Sequence, residues 1–316
     1  MTKRDEIIRI FPDTMKHRWE QVLWQSDKLQ EIRLGIGQPV RLKIAGEEKF
    51  MSSKGLVSGP CQDLWYVTER ELDEIIKNIC RYSVYAFENE IRQGFLTVAG
   101  GHRIGMAGQV VLSENGSIRN ITHIRFLNIR ISHQVIGAAG ELMAYLYRDN
   151  RMLNTLLISP PGCGKTTLLR DIVRQASDGN PYGSGRQVGV VDERSEIAGC
   201  FMGIPQNNVG MRTDVLDGCP KAQGMMMLMR SMAPDVVAVD EIGGEEDLKA
   251  LHRVLQCGSS VVASMHGDKM EDVKDFLLFE RYVFLEKIDG NYRIREIFNQ
   301  DRKRIFSAKE QKQCCG

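Results

Sequence analysis

The chain has 316 residues, enough for two domains, and 42% apolar with 26% charged residues is an ordinary globular balance. A formal net charge of +1 provides no bulk field to draw it to nucleic acid or an anionic membrane. No stretch approaches the roughly 20 apolar residues of a membrane span, and the charged start, Lys3 to Glu6, has no apolar core behind it and does not read as a signal peptide.

Residues 1–26 read as mainly helical, interrupted at Pro12 and Asp13. Residues 30–46 alternate, with Ile32, Leu34 and Ile36 followed by Val40, Leu42 and Ile44, which predicts a strand pair split at Gly37 and Pro39. Residues 51–63 suit a loop or irregular hairpin. Thr68 and Glu71 make a capping-box signature ahead of a helix face of Leu72, Ile75, Ile76 and Ile79. Residues 94–112 read as strands about a turn at Gly100-Gly101-His102-Arg103. Residues 121–131 change apolar parity between Phe126 and Leu127, which predicts a bulge near Phe126.

A helix over 137–148 then leads into strands alternating with helices, the signature of a parallel, helix-covered sheet. Strands are predicted at 153–158, 188–191, 236–239 and 261–264, a helix ending at Gly258, and a hairpin over 281–298 turning at Asp289-Gly290. The expected organisation is a smaller α+β domain over 1–135, a parallel-sheet α/β domain over 136–306 and a loose tail over 307–316. Scattered cysteines without metal-type spacing suit a reducing cytosol.

The chemistry begins at Ser159-Pro160-Pro161-Gly162-Cys163-Gly164-Lys165-Thr166-Thr167. An apolar strand precedes it and an apolar helix follows, the context of a phosphate loop. Backbone N–H groups and the positive helix end suit a polyphosphate, such as that of ATP. Lys165 would reach the outer phosphates, and Thr166 would place its hydroxyl on Mg²⁺. Ser159 stands where the usual string has Gly, and a small residue in Cys163's place suits the loop.

Residues 234–243, Pro-Asp-Val-Val-Ala-Val-Asp-Glu-Ile-Gly, describe a buried strand delivering two carboxylates to its C-terminal edge. Asp240 would hold the metal and Glu241 would orient or deprotonate water. Two more strand ends fit that edge. One delivers Asp192-Glu193-Arg194 with Glu196 beyond, where Glu193 is a candidate to assist the metal or water. The other delivers Met265-His266 after Ser264. Ser264 is a candidate γ-phosphate sensor, while His266 either couples phosphate loss to motion or serves as a structural hydrogen-bonding residue.

Strand ends in this order resemble RecA-like ATPases with an added strand between the phosphate loop and the Asp-Glu strand. The string from Arg230 through Pro234-Asp235 to Glu241-Ile242 is similar to type II/IV secretion ATPases, whose Asp box and His box 191–196 and 263–268 resemble. Asp240 stands where those enzymes commonly have Gly. The string 212–221, with Gly100 to Gly108, Glu31 to Leu34 and Asn128 to Ser132, resembles the stage III sporulation protein AA family over nearly the whole chain. The resemblance implies a RecA-like P-loop ATPase in mother-cell cytosol. It also implies a hexameric ring docked on membrane-embedded proteins of a secretion-like channel, with ATP and Mg²⁺ as cofactors.

Ring ATPases need cationic side chains at the transferred phosphoryl group. Arg103, Arg125 and Arg130 are candidates in the first domain and otherwise solvated strand residues; Arg194, Arg212 and Arg230 are candidates in the second. Met225, Met226, Met227, Met229 and Met232 suit core packing or an adaptable interface. Two rival readings stay open, a nucleic-acid motor and a nucleotide-gated scaffold with little hydrolysis. Neutral net charge opposes the first, and intact Lys165, Thr166, Asp240 and Glu241 oppose the second.

Overall fold

The computed structural model describes residues 2–308 except 82, 84–86, 275, 289 and 290, and only the backbone of residues 25, 26, 89 and 291. The chain divides into two compact units. One comprises residues 1–133 with 199–206, the other residues 134–198 with 207–316.

In the first unit, α1 (Lys3–Ile8) and α2 (Asp13–Glu20) precede β1 (Leu29–Gly35), β2 (Arg41–Ile44), β3 (Glu47–Ser52) and β4 (Gly55–Val57). Next come α3 (Glu69–Ile79), α4 (Glu88–Arg92), β5 (Phe95–Val98), β6 (His102–Leu112) and β7 (Ile118–Arg130). The strands form one sheet in the order β4-β3-β2-β1-β7-β6-β5, antiparallel at each pairing. The Thr68 hydroxyl accepts from Glu71 N, and the Glu71 carboxylate accepts from Thr68 N. Such a cap is worth about 1 kcal/mol. It starts α3 where Leu72, Ile75, Ile76 and Ile79 all face the core with Ile32, Ile104 and Ile129.

The bulge lies just before Phe126. Pairing passes from Ala107–Phe126 to Gln109–Thr122, so the extra residues are on β7, where His123 takes φ 45°. Gly108 faces them, and a Cβ there would stand 2.6 Å from the His123 carbonyl oxygen, which explains glycine at that point. The Gly199–Gln206 excursion belongs to this unit through local contacts. Gln206 Oε1 accepts from Gly100 N at 2.9 Å, and the Arg81 guanidinium lies 4.8 Å from the Phe201 ring centre.

The second unit opens with α5 (Gly140–Leu146), β8 (Tyr147–Arg148), β9 (Arg151–Met152), β10 (Thr155–Ser159), α6 (Lys165–Asp178), β11 (Val188–Asp192) and β12 (Thr213–Asp217). It continues with α7 (Lys221–Ser231), β13 (Val236–Val239), α8 (Glu245–Gln256), β14 (Ser260–His266), β15 (Arg281–Ile288), β16 (Asn291–Asn299) and β17 (Arg304–Ser307). The sheet order is β12-β11-β13-β14-β10-β15-β16-β17. From β12 to β15 neighbours pair in parallel, and β16 and β17 add an antiparallel edge. Every residue of β10, β11 and β13 is buried, so these strands read as apolar runs without alternation. β14 lies between β10 and β13, as the resemblance to RecA-like proteins implies.

Three expectations need correction. The helix expected over 137–148 runs only over Gly140–Leu146; Gly137 N and Ala139 N donate to the Asp171 carboxylate instead, and Tyr147 leaves in extended backbone for β8. β12 was not foreseen, because Thr-Asp-Val-Leu-Asp is a half-exposed edge strand with little apolar content. Ser307, expected in the tail, instead closes β17 and is buried; residues 309–316 and the turn expected at 289–290 lie outside the described residues.

Candidate functional site

β10 delivers Ser159 to the C-terminal edge of the sheet, and the chain turns through Gly162 (φ 74°) and Gly164 (φ 82°) into α6. Left-handed backbone at both points is where glycine costs least. Gly164 caps α6 without a side-chain partner, so the first N–H groups of the helix have no local cap. Cys163 is buried in this turn, with Sγ 3.9 Å from the Pro161 carbonyl oxygen.

Lys165 folds back over its own loop. Its Nζ donates to Ser159 O at 2.8 Å, to Pro160 O at 3.2 Å and to Ser159 Oγ at 3.3 Å, and lies 3.2 Å from His266 Nδ1. Burial lowers the Lys165 pKa below the usual lysine value, while Asp240 and Glu241 oppose that. The Thr166 hydroxyl donates to Asp240 Oδ2 at 2.8 Å, which ties the start of α6 to the end of β13.

Asp240 is held from its other side. Its Oδ1 accepts from the Ser264 hydroxyl on β14 and from Glu241 N at 3.0 Å. Glu241 N lies equally close to Ser264 Oγ, at 3.0 Å, and Ile242 N donates to Ser264 O at 2.8 Å. These bonds hold Glu241 at φ 49°, a left-handed conformation that a non-glycine residue adopts at a cost of about 1–3 kcal/mol. The turned backbone meets Arg194 and His266. Arg194 donates to Glu241 Oε2 at 3.0 Å, and His266 Nε2 lies 3.1 Å from Oε1.

The β11 end is more structural. Asp192 is fully buried and accepts from the N–H groups of Glu196, Ile197 and Ala198 at 2.8, 3.0 and 2.8 Å. Burial pushes its pKa up to about 6 against those donors. The Arg170 guanidinium, also buried, donates to the carbonyls of Glu196 and Ile197. Asp192 and Arg170 thus fix the turn that presents Arg194. Glu193 pairs with Lys221 at the start of α7. Asp192, Glu193, Arg194, Lys221, Asp240 and Glu241 line one cleft.

Lys165, Thr166, Asp240, Glu241, Arg194 and His266 therefore converge on one edge, and Glu193 stands in the adjoining cleft. Ser264 grips Asp240. Arg212 and Arg230 are not at this edge: Arg212 opens into β12 and binds Ser177 O at 2.9 Å, and Arg230 stands exposed where α7 runs out toward the start of β13. Arg103 and Arg130 face each other across β6 and β7, Arg130 opposes Glu31 across β1, and Arg103 lies 3.6 Å over the Phe95 ring centre. Of the methionines, Met225 is buried, whereas Met227 and Met232 are exposed.

The sequence offered no sign of three contributors. Lys221 and Arg170 are ordinary helix cations in pattern. Tyr292, whose ring covers Gly164, comes from β16 far along the chain. The hydroxyl of Thr166 and the carboxylate of Asp240 form an oxygen pair that fits a hard divalent cation. Among the described residues no group of three or more His, Cys, Asp or Glu could hold a metal alone, and no helix is long and apolar enough to cross a membrane.

Known proteins resemble this chain. Residues 1–305 match the family described as Sporulation stage III, protein AA. Stage III sporulation protein AA of Bacillus subtilis (strain 168) is 40% identical over 307 residues, 94% of this chain and 95% of that one. The solved ATPase DotB of Legionella pneumophila aligns with a TM-score of 0.57 and 14% identity, over 87% of this chain and 78% of its own. The pilus retraction motor PilT, solved with bound ADP, aligns with a TM-score of 0.56 and 14% identity over 91% of this chain and 82% of its own. At such identity the likeness establishes the fold alone, the RecA-like parallel-sheet fold of these two proteins.

Proposed function

The chain belongs to the sporulation stage III protein AA family, and from that premise we propose that it is a Mg²⁺-dependent ATPase that converts ATP to ADP and phosphate. The observation that carries this reading is the bond from Thr166 to Asp240, which joins phosphate loop and acidic strand across 74 residues of chain. Beside it stands Glu241, turned toward the same edge by its backbone.

Lys165 would exchange its loop carbonyls for phosphate oxygens and neutralise their charge. Thr166 and Asp240 would hold Mg²⁺, whose role is to neutralise charge on the outer phosphates. Glu241 would orient the attacking water or take its proton, with Arg194 and His266 positioning its carboxylate. By family, the work done would serve a channel between mother cell and forespore. The protein would act in mother-cell cytosol as a hexameric ring docked on membrane-embedded partners.

The test is phosphate release from Mg²⁺-ATP over a range of protein concentrations, with Lys165→Ala as control and mass measured in parallel. Turnover per subunit that rises with assembly and vanishes in the control supports a ring motor. ATP binding and assembly without phosphate above the control would replace it with a nucleotide-gated scaffold.

A further inference from the structure

The sheet order gives the phosphate loop two unlike flanks. On one side β14 and β13 carry Ser264, Asp240 and Glu241; on the other stand β15 and β16. With the outer phosphates directed toward the acids, the rest of the nucleotide must leave toward β15 and β16. That side is furnished for a flat, partly apolar group.

Tyr292, the second residue of β16, is half-buried with its ring against the loop. A Cβ built on Gly164 would stand 2.6 Å from its Cδ1. Asp171 lies seven residues beyond Gly164, on the same face of α6. Its carboxylate takes Gly137 N at 3.1 Å and Ala139 N at 2.8 Å. Burial first and the Asp171 charge second raise the Tyr292 phenol above the usual tyrosine value. The segment before Gly137 is fastened at its other end too: Gln134 donates to Asn208 O at 2.7 Å and accepts from Asn208 N at 2.8 Å. Between these fixed ends Val135 is 50% and Ile136 57% exposed. Two branched aliphatic side chains held in water, next to a backbone bonded to the second turn of α6, suit a ligand that covers them.

We infer that Val135, Ile136 and Tyr292 form the seat for the nucleoside end of the nucleotide, with the aliphatic pair and the aromatic ring contacting base and ribose. This rests on reading the loop as a nucleotide site, and it assigns three residues that no phosphate chemistry requires. Stacking on an aromatic ring and covering aliphatic surface act on base and ribose alone, so affinity gained there is absent for inorganic phosphates.

The experiment compares Mg²⁺-ADP with Mg²⁺-pyrophosphate by titration calorimetry on the full chain. The wild type is expected to hold ADP at least about tenfold more tightly than pyrophosphate, the scale of one stacking contact. Tyr292→Ala and Ile136→Ser should each lower ADP affinity severalfold and leave pyrophosphate affinity unchanged, and Tyr292→Phe should restore ADP binding. Equal affinity for the two ligands in the wild type overturns the inference. So does a loss of both ligands together in Tyr292→Ala while Ile136→Ser changes neither, which would make Tyr292 a support of the loop. If the wild type binds neither ligand, the reading of the loop itself falls.

Discussion

The imidazole of His266 accepts a hydrogen bond from the Lys165 ammonium, with 3.2 Å between Nζ and Nδ1. An ammonium can only donate, so Nδ1 is the unprotonated nitrogen and Nε2 carries the hydrogen toward Glu241 Oε1, 3.1 Å away. One ring thus links the residue that would hold the outer phosphates to the residue that would direct water. Were Lys165 to turn to phosphate, His266 would lose one partner and keep the other.

That chain makes His266→Ala informative. Lys165 retains Ser159 O and Pro160 O as resting partners, so ADP affinity should stay within about threefold. Glu241 loses one of two holders, and kcat should fall about tenfold, the worth of one charge-assisted hydrogen bond. His266→Gln, which can still donate, should recover part of it. Phosphate release and ADP titration on the same preparations decide the matter; unchanged kcat would confine the contact to the resting state.

Glu241→Gln removes the basic carboxylate and keeps the shape. It should bind ATP and turn over at least about a hundredfold more slowly, the scale of a lost general base. Near-normal turnover would take Glu241 out of that role. Arg194, its partner at Oε2, should then be assayed by the same phosphate-release measurement.

Asp240→Asn probes the metal. Its Oδ2 takes the Thr166 hydroxyl and its Oδ1 the Ser264 hydroxyl, so the variant keeps oxygen near Thr166 while losing charge. The Mg²⁺ concentration for half-maximal turnover should rise at least about tenfold, comparable with the loss of a ligand-orienting group. Insensitivity to Mg²⁺ in both proteins would separate Asp240 from the metal.

The strands that carry the candidate site were legible because each is buried on both faces. Val188 to Val191 and Val236 to Val239 could only be central strands, and their acidic ends had to fall at one edge. Pairing was legible less often. β12 is an edge strand of mixed polarity, and its position decides where Arg212 lies, so a residue close to the motifs in sequence stands away from them in the fold. The positive φ of Glu241 and the grip of Ser264 on Asp240 depend on neighbouring strands, β13 and β14, whose contact no local pattern records. The Gly-Gly-His-Arg string was legible as a turn. That His102 there would be fully buried was not.

Asp192 gives the second unit a pH dependence. Its carboxyl is raised from 3.8 to about 6 by burial. Between those values the native state keeps a proton that the unfolded chain has lost, so its stability contribution is full below pH 3.8 and is lost as pH rises through about 6. The size is about 3 kcal/mol at most. Hydrogen exchange at the amides of Glu196, Ile197 and Ala198, followed from pH 4 to 7, should show protection falling with rising pH after correction for intrinsic exchange. Asp192→Asn should abolish that slope, whatever it does to protection overall. A slope that survives the substitution would assign it to another group.

His102 gives the first unit a dependence of opposite sign. It is fully buried at the start of β6, its Nδ1 accepts from Ser132 N at 3.1 Å, and Nε2 lies 3.7 Å from Glu6 Oε2, too far for a hydrogen bond. Burial holds its pKa down to about 3, with Lys3 and His133 adding repulsion, against an ordinary value of 6.5. The native imidazole stays neutral while the unfolded one takes a proton, so its contribution is full above pH 6.5 and is lost as pH falls toward 3. All three tryptophans, Trp19, Trp24 and Trp65, belong to this unit, so tryptophan fluorescence during urea unfolding reads it separately from the second. The midpoint should drop steadily between pH 6.5 and 4 in the wild type. His102→Asn offers an amide oxygen to Ser132 N without a group that titrates there, and its midpoint should vary much less over the same range. Equal acid sensitivity in the two proteins would move the effect away from His102 to another group of this unit.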